Sequence, residues 1–304
     1  MALVSTLGLL VGCTTNPTTG RSQFNALSRS DEIAMGVQSM PAMLKEYGGR
    51  VAKQELQDYV TSIGRLMAAQ TEGDAPTLPW EFTLLDSDVI NAFALPGGKV
   101  FMSRGLAERM TNEAQLAGVL GHEIGHVTAR HINDQIARET GANLFAQVAG
   151  ALAGEAGGAI AQAAPVVINY GGTAVLLKYS RDQESEADSL GMRYMAKVGY
   201  NPAAQKQVME ILAQASKGAG GPGGEFFATH PYPETRIKRI NALLEKEYAG
   251  YQTNPKFSYK EEEFRAKFLN RLKAAFPEGR PFNQKDHELA LASLKMPSLV
   301  HDEH

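Results

Sequence analysis

Residues Val119 to His131 read V-L-G-H-E-I-G-H-V-T-A-R-H, with His122, Glu123 and His126 in the spacing H-E-x-x-H. In a helix, four residues turn the chain by about 400 degrees, so His122 and His126 point the same way one turn apart. Two imidazoles placed like this reach one zinc ion, and Glu123 beside them can serve a water held by that ion. The bland alternative is two helix histidines and a surface glutamate, and the flanking residues argue against it. Thr111 is a candidate N-cap, Asn112 and Glu113 can begin a helix, and Leu116, Val119, Leu120, Ile124 and Val127 carry apolar spacing through it. Gly118, Gly121 and Gly125 weaken that helix, and their missing side chains would let a neighbouring element approach closely.

A second acidic segment answers the first. Ser180 with Gln183 three residues on forms a capping box, which predicts a helix over Arg181 to Val198 carrying Glu184-Ser185-Glu186-Ala187-Asp188. Glu184 and Asp188 share a face, and two acids on one face repel unless a positive group answers them. A zinc ion with its histidines would do so. Glu184 would complete a three-ligand site, and Asp188 would accept a hydrogen bond from the far nitrogen of a ligand histidine. Glu186 competes for the ligand role but lies on a different face, so Glu184 is favoured. Ala187 and Gly191 leave room for close helix approach.

Composition narrows the chemistry. The chain has 304 residues, a formal charge of -3, 43% apolar residues and a single cysteine, Cys13. No basic block stands out, so a nucleic-acid partner is not expected. One cysteine excludes an intrachain disulfide and a thiolate-rich metal site, so a zinc ion would be held by histidine and carboxylate.

The rest of the chain reads as α+β, mostly helical, with a small antiparallel or mixed sheet packed against the zinc-binding helix. Helices are expected over Asp31–Tyr47 and Val51–Ala69, then strands over Trp80–Leu85, Val89–Leu95 and Lys99–Ser103. An open sheet edge offers main-chain groups to an extended peptide regardless of its side chains, and Asn91, Ala92, Phe93, Ala94 and Leu95 are the candidate rim. Ala156 to Leu177 carries no charge over 22 residues, but Gln162, Pro165, Asn169 and Gly171-Gly172 argue against a membrane span. A helix over Asn143–Ala163 followed by a loop beside the cleft is expected there, with an ordinary connection as the alternative. Asn201-Pro202 opens a helix to about Gln214, and Lys217 to Gly224 is a glycine-rich exposed loop. His230, in a turn before Pro231, could face the metal, steadying an oxyanion or occupying the open metal position. It could equally tie the loop to its neighbours. Pro233 opens the helix that carries Arg236. Beyond Gly250, helices are expected over Glu261–Phe276 and Asp286–Leu294.

At His122, Glu123, His126 and Glu184 to Asp188 the chain resembles the HtpX and CAAX-prenyl-protease family of zinc metallopeptidases, peptidase family forty-eight. It is similar in particular to a periplasmic, lipoprotein or secreted branch that handles outer-membrane proteins. The resemblance implies a gluzincin fold, one zinc per chain on His122, His126 and Glu184, Glu123 as the base, and Asp188 behind the ligands. The family's histidine-proline and arginine segment matches His230-Pro231 and Arg236, and its strand segment resembles Asn91 to Gly98. The match covers roughly 31–250, taken as the peptidase domain, with 1–30 as signal and flexible tether and 251–304 as a short helical extension. The transmembrane helices of the HtpX and CAAX branches are missing from this stretch. The implied activity is zinc-dependent cleavage of unfolded or misassembled envelope proteins. The rival is an envelope chaperone or assembly factor that binds exposed strands with little proteolysis. Leu10-Val11-Gly12-Cys13 resembles a bacterial lipoprotein box, although no Lys or Arg precedes it. That resemblance implies a lipidated Cys13 and membrane attachment in the periplasm, and Thr14 after the cysteine favours the outer membrane.

Overall fold

The computed structural model of the chain describes residues 12–139, 141, 178–216, 224–251 and 253–277. The apolar run up to position 11, the segment 142–177 with its expected helix and loop, residues 217–223 of the expected glycine-rich loop, and the expected helix Asp286–Leu294 lie outside them.

The described residues open with a hairpin of β1 (Gly12–Thr15) and β2 (Ser22–Asn25), paired antiparallel. They continue through α1 (Arg29–Glu46) and α2 (Gln54–Ala68) to β3 (Glu81–Leu85), β4 (Ala92–Leu95) and β5 (Lys99–Ser103). The order β3-β5-β4, parallel then antiparallel, makes the sheet mixed. Pro96-Gly97-Gly98 turns β4 into β5, with φ of +75° at Gly97 and +93° at Gly98, conformations that a side chain would strain. β4 begins at Ala92 rather than Val89, because at Asn91 the ladder passes to Ser103, whose hydroxyl accepts from the Asn91 N–H at 3.0 Å.

Strand alternation assigns the two faces of the sheet to different neighbours. Phe82, Leu84, Ala92, Ala94, Val100 and Met102 join the main core with Leu56, Val60, Met67, Leu116 and Leu120. Leu85, Phe93, Leu95 and Phe101 pack with Met40, Met43 and Tyr47 of α1. Both faces are covered, so strand residues of either parity are buried.

After the short α3 (Arg104–Ala107), α4 (Glu113–Thr128) is buried along its whole length. Its cap is Asn112 rather than Thr111, with the Asn112 side chain accepting from the Gln115 N–H at 2.9 Å. A further helix, α5, spans 131–139, and Ser180 caps α6 (Arg181–Lys197) with the expected box. α7 (Ala204–Ala215), α8 (Gly224–Thr229) and α9 (Pro233–Lys246) follow, and α10 runs over 261–275 with a π turn at Arg265–Leu269. Among the described residues no helix is long and apolar enough to cross a membrane.

α4 and α6 pack closely because glycine meets glycine. A methyl group on Gly125 would lie 2.9 Å from the Ala187 carbonyl oxygen, and one on Gly191 2.9 Å from the His122 nitrogen. The first and last described segments are folded onto this unit. Asn16 is buried at the C-terminal end of α4, donating to the Thr128 carbonyl at 3.1 Å. The N–H groups of Ala26 and Leu27 both donate to Asn133 Oδ1. Beyond position 250, Phe264, Phe268 and Leu272 are fully buried in the main core, and Phe268 stacks on Tyr59 at 5.0 Å.

Candidate metal centre

α4 delivers His122 and His126 one turn apart, with their Nε2 atoms 3.0 Å from each other. α6 brings Glu184 against both: Oε2 lies 3.6 Å from His122 Nε2 and Oε1 lies 3.4 Å from His126 Nε2. The loop after α8 adds His230, whose Nδ1 is 3.0 Å from Glu184 Oε1 and 3.3 Å from His122 Nε2. Potential ligand atoms of these four buried side chains all fall within 4.8 Å of one another. Three imidazoles and one carboxylate, without a thiolate, are a donor set that suits zinc. Tyr179 stacks on the His126 ring at 3.7 Å and Phe226 stacks on His230 at 4.5 Å, so aromatic packing holds two of the rings.

Glu123 points into the same space. Its Oε1 is 3.6 Å from His230 Nε2, and neither carboxylate oxygen has a hydrogen-bond partner among the described residues. His230 Nε2 is likewise unpartnered. Buried polar atoms without partners are rare and costly in folded proteins. Here they surround the four-donor cluster, as groups that work on a water or substrate would. Burial pushes the Glu123 carboxyl up, which suits a proton carrier.

Charge around the cluster is balanced by one buried arginine. Arg236 donates from Nε to Asp188 Oδ2 at 2.8 Å and from Nη2 to Asp188 Oδ1 at 2.6 Å, and its Nη1 sits 2.6 Å from Glu184 Oε2. Asp188 Oδ1 also lies 3.0 Å from His122 Nδ1 and accepts from Gln205 at 3.0 Å. Burial alone would raise both acids. The Arg236 guanidinium and the neighbouring histidines together outweigh it, holding Asp188 at about 2 and Glu184 well below the usual carboxylate range. Burial drives His126 well below the ordinary histidine value, which keeps it neutral and able to bind a metal. For His230, burial is outweighed by Glu184 and Glu123, and its value rises.

Every residue expected at the centre from the sequence is therefore within one constellation: His122, Glu123, His126, Glu184, Asp188, His230 and Arg236. Glu186 is kept away from the cluster and instead accepts from His131 Nε2 at 2.9 Å. Of the candidate rim, Ala94 and Leu95 line a small cleft together with His126, Tyr179, Arg130 and Glu32. Asn91 lies just before β4, and its amide donates to Tyr47 and Glu225. β4 is an edge of its sheet, and among the described residues no strand pairs with its outer side. Sequence reasoning misses Tyr179 and His131. His131 is visible five residues after His126 in the opening stretch, whereas nothing in the local pattern marks Tyr179.

Comparison with known proteins agrees with this geometry. The family model described as Peptidase family M48 matches residues 54–244. The chain is 31% identical over 241 residues to the mitochondrial metalloendopeptidase OMA1 of Schizosaccharomyces pombe, covering 78% of this chain and 68% of that protein. It is 29% identical over 229 residues to the beta-barrel assembly-enhancing protease of Escherichia coli, and 33% identical over 224 residues to a putative one of Vibrio cholerae. Each of those matches covers 73% of this chain and 46% of the relative, so the chain spans about half the length of the assembly-enhancing proteases.

Proposed function

The chain belongs to peptidase family M48 and carries the ligand cluster and buried carboxylate of a zinc metalloendopeptidase, and from that premise we propose that it cleaves unfolded or misassembled cell-envelope proteins. The observation that carries the reading is Glu123, a buried carboxylate with both oxygens unpartnered beside three histidines and Glu184. His122, His126 and Glu184 would hold one zinc ion per chain. Bound there, the ion supplies a water of lowered pKa and a Lewis-acid contact for the scissile carbonyl. Glu123 takes a proton from the attacking water and hands it to the departing amine. Asp188 holds the His122 ring through its Nδ1, and Arg236 keeps Glu184 and Asp188 ionised and in place. His230 would stand beside that site, where it could steady the oxyanion formed from the scissile carbonyl or occupy an open ligand position at rest.

The edge of β4 is the natural support for substrate. An extended segment laid along Ala92 to Leu95 would bond through its main chain and pass His126. Main-chain recognition accepts many sequences, which suits clients defined by misfolding. The names of the assembly-enhancing relatives point to β-barrel proteins of the envelope as that class. Attachment at the outer membrane, on its periplasmic side, would follow from acylation of Cys13, which palmitate labelling lost in C13S and kept in wild type would test.

A second reading, a strand-binding assembly factor with latent proteolysis, is favoured by one observation: His230 already stands within ligand distance of the cluster. One experiment separates the two. Zinc-loaded wild type, E123Q and H230A are given unfolded casein, with cleavage followed by mass spectrometry and binding measured in parallel. The protease reading expects E123Q to keep zinc and binding but lose about 10²–10⁴-fold in cleavage. Cleavage that appears only in H230A would mark a latent protease. Binding without cleavage in all three would overturn the protease reading in favour of the assembly factor.

A further inference from the structure

The three acids between Glu184 and Asp188 of α6 have three different destinations. Glu184 faces the cluster and Asp188 backs His122 directly. Glu186 turns away from the cluster. Its Oε2 lies 2.9 Å from His131 Nε2, and His131 Nδ1 lies 2.8 Å from His126 Nδ1. His131 is fully buried, and Arg21 of the N-terminal hairpin closes the line by donating to Glu186 Oε2 at 3.1 Å. The hairpin is seated there by Asn16 on Thr128 and by a further contact of Arg21 Nη1 with Asp134 at 3.6 Å.

The donors and acceptors in this line have one consistent assignment when both rings are neutral. An ionised carboxylate only accepts, so His131 carries its proton on Nε2. His131 Nδ1 is then an acceptor, and the proton between the two rings must sit on His126 Nδ1. That leaves the His126 Nε2 lone pair free, on the side where Glu184 and His122 stand. Ligand histidines usually give their other nitrogen to a carboxylate or carbonyl, which fixes tautomer and ring orientation. For His122 this is Asp188. For His126 a second imidazole is interposed, because Glu186 is held away from the His126 ring.

We propose that His131 and Glu186 are positioning residues that lock His126 as an Nε2 metal ligand, and that Arg21 ties this lock to the N-terminal hairpin. The proposal rests on the reading of His122, His126 and Glu184 as the zinc ligands. It makes the hairpin part of the metal centre, so a change in the hairpin is felt as a change in metal affinity.

The test is zinc affinity by chelator competition, with cobalt substitution as a spectroscopic readout of ligand geometry, on the full chain. The variants are H131A, H131N, E186A and R21A, with H122A as the ligand-loss control. Asparagine can place an oxygen where His131 has Nδ1, so H131N keeps the acceptor that alanine removes. H131A should bind zinc about 10–100-fold more weakly and shift the cobalt spectrum. H131N should recover most of that affinity, and E186A and R21A should fall between it and H131A. Glu186 and Arg21 are only partly buried, so their variants report even if the H131A protein does not fold. Wild-type affinity and spectrum in both E186A and R21A, or in H131A, would overturn the lock while leaving the zinc ligands standing. Failure of the wild type itself to take up zinc, matching H122A, would overturn the metal-site reading and the lock with it.

Discussion

Gly125 of α4 and Ala187 of α6 are so close that a methyl group built on Gly125 meets the Ala187 carbonyl oxygen at 2.9 Å and its Cα at 3.0 Å. This contact places a ligand-bearing turn of α4 against the segment of α6 that begins at Glu184. A helix-weakening glycine is therefore needed at this position, despite a propensity cost of about 1 kcal/mol against alanine.

G125A should force the two helices apart. Overpacking of a tight core contact costs about 1–3 kcal/mol, and here the same displacement moves Glu184 away from His126. We expect a lower melting temperature together with reduced zinc content, read by thermal denaturation and elemental analysis. Unchanged values for both would mean that the helices relax without moving the ligands.

A pH dependence follows from Glu46, at the C-terminal end of α1. Burial, followed by the nearby Glu225 charge, raises its carboxyl from an ordinary 4.5 to about 7. A raised acid favours the folded protein fully below the unfolded value of 4.5, and that contribution is lost as pH rises to about 7. E46Q stays neutral throughout. Its stability relative to wild type should therefore increase between about pH 4.5 and 7 and stay level above that, as chemical denaturation at a series of pH values would show. A constant difference across the range would refute the assignment.

The segment after position 250 should behave as core rather than appendage. Phe268 is fully buried against Tyr59 and Phe264. F268A should destabilise the whole peptidase unit by about 3–5 kcal/mol, in a single unfolding transition. A separate low-temperature transition that leaves the zinc centre intact would instead mark this segment as its own unit.

Much of the centre is legible in the chain's sequence because its chemistry is local. His122 and His126 are brought together by helix periodicity alone, Ser180 and Gln183 announce the start of α6, and Glu184 with Asp188 form a like-charged pair that needs a counter-charge. Glu186 shows the limit of that logic. Helix geometry removes it from the ligand set, but its partner His131 lies on another helix, and no spacing rule connects the two. The hairpin escapes a sequence reading for a similar reason. Polar residues such as Asn16 and Arg21 look like solvated tether until a helix end and a half-buried acid are placed beside them. Tyr179 stacks on His126 across more than fifty positions of chain, and its neighbours in sequence give no hint of that contact.

The sequence by itself determined the metal-binding helix, the capped helix that answers it, the lack of thiolate ligands and the three-strand segment ahead of them. All of these depend on periodicity, capping and composition, which act over a few residues. Tertiary structure alone decided that His230 joins the ligand cluster and that Arg236 serves Glu184 and Asp188 together. It also placed Glu186 against His131 and His131 against His126, and set Ala94 and Leu95 in one cleft with His126. These are meetings of side chains far apart in sequence, set by how closely α4 and α6 can approach and by the need to pair buried charge.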